Sequence, residues 1–414
     1  MLPRPRICCL DLDTFFVSVE RLLDPSLIGR PVIVGGRPGS RGVVTACSYE
    51  VRELGVHSGM SLTEAARLAP DAVYLPVRGD TYGRYSREVR ETVERYSPVV
   101  QAASIDEMFI DFSGCERLHR RSGDFGDDAT ILGVVRQMTA AIRDELGLPA
   151  SAGIATSRKV AKVASGLAKP AGVLMVPAGA EARMLALLPV RKLPGIGPVG
   201  EARLTELGIE TLGELAETPL EELRPLFGAW AEEVLAGAQG RGSADISRDQ
   251  PAFREHDESG DLQRSISNER TFREDTADQR TVDAQLCFLC ERVCWRARNR
   301  GVRARTVSLK LRYADFETLS RSLTVPPTCS ELEVYPIVKG LYQRARRRRT
   351  PIRLLGVALS NLVPIDRQLG LFEDVRRLDR SLDAIREKYG FDAVRRATGR
   401  LGAAGRRRRR PAPA

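Results

Sequence analysis

In Ile7-Cys-Cys-Leu-Asp-Leu-Asp13, residues Ile7 to Leu12 form a short apolar run that ends in Asp11-Leu-Asp13, the pattern of a buried strand with carboxylates at its C-terminal end. The rest of the first half reads outward from it. Phe15 to Leu23 has the spacing of a short helix. Tyr85 to Tyr96 is a second helix-period stretch, stopped by Pro98. Val99 to Ile105 and Met108 to Phe112 read as two strands joined at Asp106-Glu107. Ile131 to Leu146 is helical again, and Ala150 to Ala155 is small enough to be another buried strand. The order is β-α-β-β-α-β, the ferredoxin-like unit, which many unrelated functions use. An interruption from about Phe15 to Pro76 holds strand-like runs at Pro31 to Val34 and Val43 to Cys47. It also holds a capping-box spacing at Ser61-Leu-Thr-Glu64, so a small inserted subdomain is expected there.

Further along, Gly172 to about Gly240 reads as helical, and the polar stretch Gly240 to Gly260 as a linker. From Leu262 to Leu362 the pattern is mixed, with Thr306 to Tyr313 and Ile352 to Leu359 alternating like half-buried strands. A short helix is expected at Leu378 to Tyr389, before a disordered tail of five arginines and Pro-Ala-Pro-Ala. The expected fold class is therefore α+β and multidomain.

At 414 residues the chain exceeds one compact core, and two to four domains are expected. Its 43% hydrophobic content is that of a globular protein, and it has no apolar run long enough for a membrane span. Met1-Leu-Pro-Arg-Pro-Arg6 has neither the apolar stretch nor the cleavage site of a secretory signal, so a cytoplasmic protein is expected. The net charge of +10 favours a polyanionic partner, the more so because the excess clusters at Arg296 to Arg312, Arg344 to Arg349 and Arg406 to Arg410. Cys287, Cys290 and Cys294 share one helix face but lack a fourth ligand, since the histidines stand at 57, 119 and 256. They are read as buried apolar residues, and all eight cysteines as reduced thiols.

Acidic residues brought together at strand ends are what two-metal phosphoryl transfer needs, and Mg²⁺ prefers such oxygens. Asp11 ends the first strand, and Asp106 and Glu107 sit where two neighbouring strands meet. Adjacent carboxylates repel unless a cation is present; a plain polar turn is the other reading of Asp106-Glu107 alone.

Asp11-Leu-Asp-Thr-Phe-Phe-Val-Ser-Val-Glu20 and Ser104-Ile-Asp-Glu-Met-Phe-Ile-Asp111 resemble the two catalytic motifs of Y-family (translesion) DNA polymerases, of the bacterial DNA polymerase IV type. The resemblance covers residues 7 to about 372. It implies a ferredoxin-like palm over 1–14 and 77–171, inserted fingers over 15–76, and a helical thumb with a helix-hairpin-helix over 172–240. It further implies a linker over 241–261, a separate α/β little finger over 262–363, and a tail over 364–414. Asp11, Asp106 and Glu107 would be catalytic and would hold two Mg²⁺ ions with the Leu12 carbonyl; Asp13 is assigned no metal. Phe16 would be the steric gate whose ring clashes with a ribose 2′-hydroxyl. Phe15, Tyr49, Arg52 and Lys169 would serve the incoming nucleotide; Tyr49 and Arg52, at i and i+3, can share a helix face. Lys159 and Lys162 lie near Lys169, but Arg158-Lys159 departs from the family pattern.

Leu193-Pro-Gly-Ile-Gly-Pro-Val-Gly-Glu-Ala-Arg-Leu204 resembles a helix-hairpin-helix, with Gly195, Gly197 and Gly200 allowing backbone N–H groups to face DNA phosphates. Gln368-Leu-Gly-Leu-Phe372 resembles the bacterial sliding-clamp peptide, with Gln368, Leu369, Leu371 and Phe372 as anchors. The implied partners are primer-template DNA, deoxynucleoside triphosphates and the clamp, with no membrane and a monomeric chain. The implied activity is low-fidelity, template-directed DNA synthesis without proofreading, in damage tolerance and repair. Two rivals are an accessory protein that binds DNA and clamp only, and a nucleotidyl cyclase built on a similar palm. The first would have lost its carboxylates, and the second would not need the hairpin motif, the clamp peptide or the basic second half.

Overall fold

The computed structural model describes residues 4–120, 123, 125–246, 265–365 and 375–396. The chain divides into two compact units, Met1–Phe253 and Arg254–Ala414.

In the first unit β1 (Ile7–Leu12) leads into α1 (Phe15–Leu23), β2 (Val32–Val34), β3 (Ala46–Cys47), α2 (Tyr49–Arg52), α3 (Leu62–Leu68) and β4 (Val73–Leu75). There follow α4 (Gly79–Glu94), β5 (Val100–Ala102), β6 (Glu107–Asp111), α5 (Glu116–His119), α6 (Gly126–Leu146), β7 (Ala150–Ala155), α7 (Arg158–Leu167) and β8 (Val173–Met175). The main sheet runs β5-β6-β1-β7-β8. Its first four strands are antiparallel neighbours in the ferredoxin-like order. β8 adds a parallel edge strand beside β7 that the sequence reading had placed at the start of the helical segment.

β1 is apolar along its length because both of its faces are covered. Cys8, Leu10 and Leu12 pack with Val89 and Val93 of α4 and Ile131, Val135 and Met138 of α6. Ile7 and Cys9 point the other way, towards Val160, Ala161 and Ala164 of α7. That second contact needs Gly153: a Cβ there would overlap backbone atoms of Ala161 and Ser165. Each fully buried Leu or Ile in these layers contributes roughly 1.5–3 kcal/mol, so β1 is fixed firmly enough to aim its last residues.

The inserted segment forms a three-stranded sheet, β3-β2-β4, over a small core that includes Ile33, Val44, Val51 and Leu62. Ser61 caps α3 as its spacing suggested, its Oγ accepting from the Glu64 N–H at 3.1 Å. α1 belongs in part to the larger core, which Phe15, Val17 and Val19 enter.

The rest of this unit is helical: α8 (Glu181–Leu185), α9 (Pro198–Glu206), α10 (Leu212–Glu217), α11 (Leu220–Phe227) and α12 (Ala231–Ala238). Leu185, Leu193, Leu204, Leu212, Leu223 and Val234 fill its centre. The element before the glycine hairpin is a 3₁₀ turn, Val190–Lys192, not a full helix. The polar stretch after Gly240 starts packed: Ile246 is buried in this core, and the Ser243 carbonyl accepts from the Arg158 N–H at 3.0 Å.

The second unit contains β9 (Ser265–Thr276), α13 (Gln279–Asn299), β10 (Val302–Tyr313), β11 (Thr318–Thr328), α14 (Glu331–Ala345), β12 (Ile352–Pro364) and α15 (Val375–Tyr389). Its antiparallel sheet runs β11-β10-β12-β9. α13 and α14 cover one face, where Val307, Leu309, Leu311 and Tyr313 alternate inward. Cys287, Cys290 and Cys294 are free and buried on α13, as expected. Arg298, within a strip read as basic surface, is instead largely withdrawn from solvent and holds α15: Nε and Nη2 fork onto Asp383 at 2.6 and 2.8 Å, and Nη1 bonds Glu331 at 2.6 Å. Gln368 to Phe372 and the five-arginine tail lie outside the described residues. Among the described residues no helix is long and apolar enough to cross a membrane.

Candidate active site

The sheet brings the acidic motifs together. Asp11 of β1 lies directly opposite Glu107 of β6, and the Leu12 N–H donates to the Asp106 carbonyl at 2.9 Å. Opposed residues of an antiparallel pair hold their Cβ atoms about 5 Å apart on one face, so two segments nearly a hundred residues apart in sequence present one acidic edge. Asp106 stands in the turn before β6, its carboxylate accepting from Ser104 Oγ.

Two lysines answer this charge. Lys169 Nζ contacts the Asp11 carboxylate and lies 3.3 Å from Asp13, while Lys162 Nζ contacts Glu107. Burial raises the Asp11 pKa above the usual carboxylate value; Lys169 opposes the rise, and Asp106 and Glu107 add to it. For Lys162 and Lys169 burial pulls the pKa down, but Glu107 and Asp11 respectively outweigh it and hold each ammonium above its ordinary value. Among the described residues no three His, Cys, Asp or Glu side chains stand grouped as a ready metal site, because Asp11 and Glu107 are each turned to a lysine. The donor set nevertheless fits an oxygen-preferring divalent cation: three carboxylate positions share one edge, and their repulsion demands positive charge there.

Around this edge stand the other expected residues. Phe15 is buried in the core, and Phe16 is half-buried beside it. The Phe16 ring stacks on Tyr82 with centroids 4.0 Å apart at 15°. Tyr82 is fully buried, and its hydroxyl donates to Glu20 at 2.6 Å. The sequence reading had not singled out Tyr82; its place in the amphipathic α4, whose other buried side chains include Val89 and Val93, marked it only as core. Tyr49 donates to Asp13 at 3.4 Å, and the exposed Arg52 lies over the Tyr49 ring at 5.1 Å. The same edge thus gathers Asp11, Asp106, Glu107, Tyr49 and Lys169.

Lys159 does not join them. It pairs with Glu233 at 2.8 Å and faces the Trp230 ring. The hairpin glycines stand apart too, in the helical segment. Gly195 has φ 102°, and Trp230 fills the space a Cβ would need, so its role is conformational. Gly197 is the residue before α9, with open space where its side chain would be, beside the N–H groups that a helix start leaves free.

Comparison with known proteins gives a consistent answer. Residues 10–166 match the impB/mucB/samB family model, and residues 263–371 match the model of that family's C-terminal domain. A DNA polymerase IV of Dehalococcoides mccartyi (strain ATCC BAA-2266 / KCTC 15142 / 195) is 40% identical over 403 residues, covering 95% of this chain and 97% of that protein. One from Alkalilimnicola ehrlichii (strain ATCC BAA-1101 / DSM 17681 / MLHE-1) is 37% identical, over 89% of this chain and 99% of that protein. Among solved structures, a Y-family DNA polymerase chimera superposes with a TM-score of 0.73 at 25% identity, over 87% of this chain and 99% of its own. The insertion ternary complex of Dbh DNA polymerase gives 0.59 at 24%, over 87% of this chain and 100% of its own. By the paired family models and the full-length likeness to these relatives, the chain belongs to the impB/mucB/samB family of Y-family DNA polymerases, of the DNA polymerase IV type.

Proposed function

We propose that this chain is a DNA-directed DNA polymerase that extends a primer across damaged template, with Asp11, Asp106 and Glu107 as its catalytic carboxylates. The observation that carries the reading is Asp11 directly opposite Glu107, with Asp106 tied to Leu12 through the backbone and Lys169 at the same edge. The primer 3′-hydroxyl attacks the α-phosphate of a deoxynucleoside triphosphate, and pyrophosphate leaves. Asp11, Asp106, Glu107 and the Leu12 carbonyl would hold two Mg²⁺ ions, whose charge would lower the hydroxyl's pKa and neutralise the leaving group. The protein's own side chains position the substrate. Lys169 and Arg52 offer point charge and a planar fork to the phosphates, and Tyr49 a hydroxyl. Phe16, backed by Tyr82, places a ring where a ribose 2′-oxygen would sit.

In the same reading residues 1–14 and 77–171 form the palm, 15–76 the fingers, 172–240 the thumb and 262–363 the little finger. Gly195, Gly197 and Gly200 let the thumb hairpin approach the phosphate backbone, a contact blind to sequence. Gln368, Leu369, Leu371 and Phe372 dock on the sliding clamp as an extended peptide. Synthesis is of low fidelity and lacks proofreading.

Primer extension across a defined template lesion, with each deoxynucleotide offered singly, tests the function. Lengthened primer is expected. Intact DNA binding with no extension by the unaltered protein would leave only the accessory role. Deleting residues 368–372 is expected to abolish clamp stimulation and spare basal synthesis; equal loss of both would remove the clamp assignment.

A further inference from the structure

Asp13 is an acidic residue two positions after Asp11, and it is only 1% exposed. A buried carboxylate is costly unless its oxygens are satisfied, and here they are. Ser151 Oγ lies 3.0 and 2.8 Å from the two oxygens. The Ala171 N–H donates to Oδ2 at 2.7 Å. On Oδ1 the Tyr49 hydroxyl stands at 3.4 Å and the Lys169 ammonium at 3.3 Å.

These partners come from three separate places in the chain. Ser151 lies on β7, across β1 from Glu107, and supplies a rigid base. Ala171 holds a left-handed φ of 50°, a conformation unfavourable for a residue with a side chain unless its surroundings hold it. Its N–H on the Asp13 carboxylate is such a hold, two residues after Lys169. Tyr49 belongs to the inserted subdomain, so one buried anion ties strand, turn and insertion together.

We propose that Asp13 is a positioning residue for the incoming nucleotide: it keeps the Lys169–Ala171 turn and the Tyr49 hydroxyl aimed at the triphosphate. The inference rests on the reading that Lys169 and Tyr49 serve the nucleotide. Lys169 is shared between Asp11 and Asp13. Once Asp11 is committed to catalysis, Asp13 is the anion left to restrain the turn that carries the ammonium. Charge-assisted hydrogen bonds are the strong ones, and an ammonium on a five-bond tether is useful to a phosphate only if its root is fixed.

The test uses the full-length protein on a dideoxy-terminated primer-template, with the affinity for the next correct deoxynucleotide read by titration. Steady-state kcat and KM are read on extendable primer. Asp13→Asn keeps the shape but removes the charge, and its amide cannot accept at both oxygens. It is expected to weaken nucleotide affinity about ten- to thirtyfold while kcat falls less than about threefold and DNA affinity holds. In a Lys169→Ala background the same change should cost less than it does alone, because Asp13 acts in part through Lys169. Unchanged nucleotide affinity in Asp13→Asn, with lowered kcat or melting temperature alone, would make Asp13 a purely structural acid and overturn the proposal. Full additivity with Lys169→Ala would also overturn it. The reading beneath it fails separately: if Lys169→Ala itself leaves nucleotide affinity unchanged, Lys169 is not a triphosphate residue and both fall.

Discussion

Carboxylates meet basic side chains in both units, but in opposite ways. In the first unit Asp11 and Glu107 are each answered by a single lysine on an edge still open to solvent, where Lys162 is 43% and Lys169 23% exposed. In the second, Arg298 is 10% exposed and Glu331 1%. Arg298 forks onto Asp383, bonds Glu331 and donates to the Cys329 carbonyl at 2.8 Å, while Arg386 adds a second guanidinium to Glu331 at 3.3 Å. Arginine's planar donors saturate the acids and leave nothing to exchange; a lysine is one movable charge. The first arrangement suits a site whose cations come and go. The second is a permanent clasp that docks α15 on α13 and α14.

Breaking each side of this contrast should produce opposite phenotypes. Asp106→Ala is expected to lower primer extension about a thousandfold or more in single-turnover assays while DNA affinity and melting temperature hold, because it removes a like charge from a crowded edge. Retained full activity would take Asp106 out of the catalytic set. Arg298→Ala should do the reverse. It strips the fork from Asp383 and leaves Glu331 with Arg386 as its one guanidinium, at a cost of about 1–3 kcal/mol, read in urea with Trp295 fluorescence in a Trp230→Phe background. An unchanged midpoint would mean the clasp is not structural.

Smaller effects sharpen the picture. Phe16→Ala should cut discrimination against ribonucleotides about a hundredfold, in single-nucleotide incorporation. Tyr82→Leu, which removes the stacked support together with the hydrogen bond to Glu20, should cut it at most about tenfold. Equal sugar selectivity in all three proteins would move the gate elsewhere. The least effect belongs to the cysteines. Burial pushes Cys287 up to about 12 and Cys290 and Cys294 well above the usual thiol value. Thiolate is the reactive form, so none of the three should alkylate at neutral pH until the unit unfolds.

Much of this was legible in the sequence where burial is complete. β1 and β7 end at the residues expected, since short apolar runs covered on both faces leave no ambiguity of face. Partly buried elements were harder. α4 begins at Gly79, six residues before the stretch Tyr85 to Tyr96, because its first turns are polar and show no apolar stripe. β8 is three half-buried residues recognisable only from β7 beside it. At the site, the meeting of Asp11 with Asp106-Glu107 followed from strand pairing. The Lys162 contact with Glu107 did not, since spacing along α7 cannot say which lysine clears the helix flank towards β6. Nor did the near-burial of Arg298, which looks in sequence like every other arginine of its strip.

Divalent cations are expected among Asp11, Asp106 and Glu107. Anomalous diffraction from a Mn²⁺-soaked complex with primer-template and an incoming nucleotide tests this directly. Density is expected within about 2.2 Å of oxygens from all three side chains, with Lys162 and Lys169 moved off Glu107 and Asp11. Density elsewhere, with both lysines still on their carboxylates, would contradict the assignment.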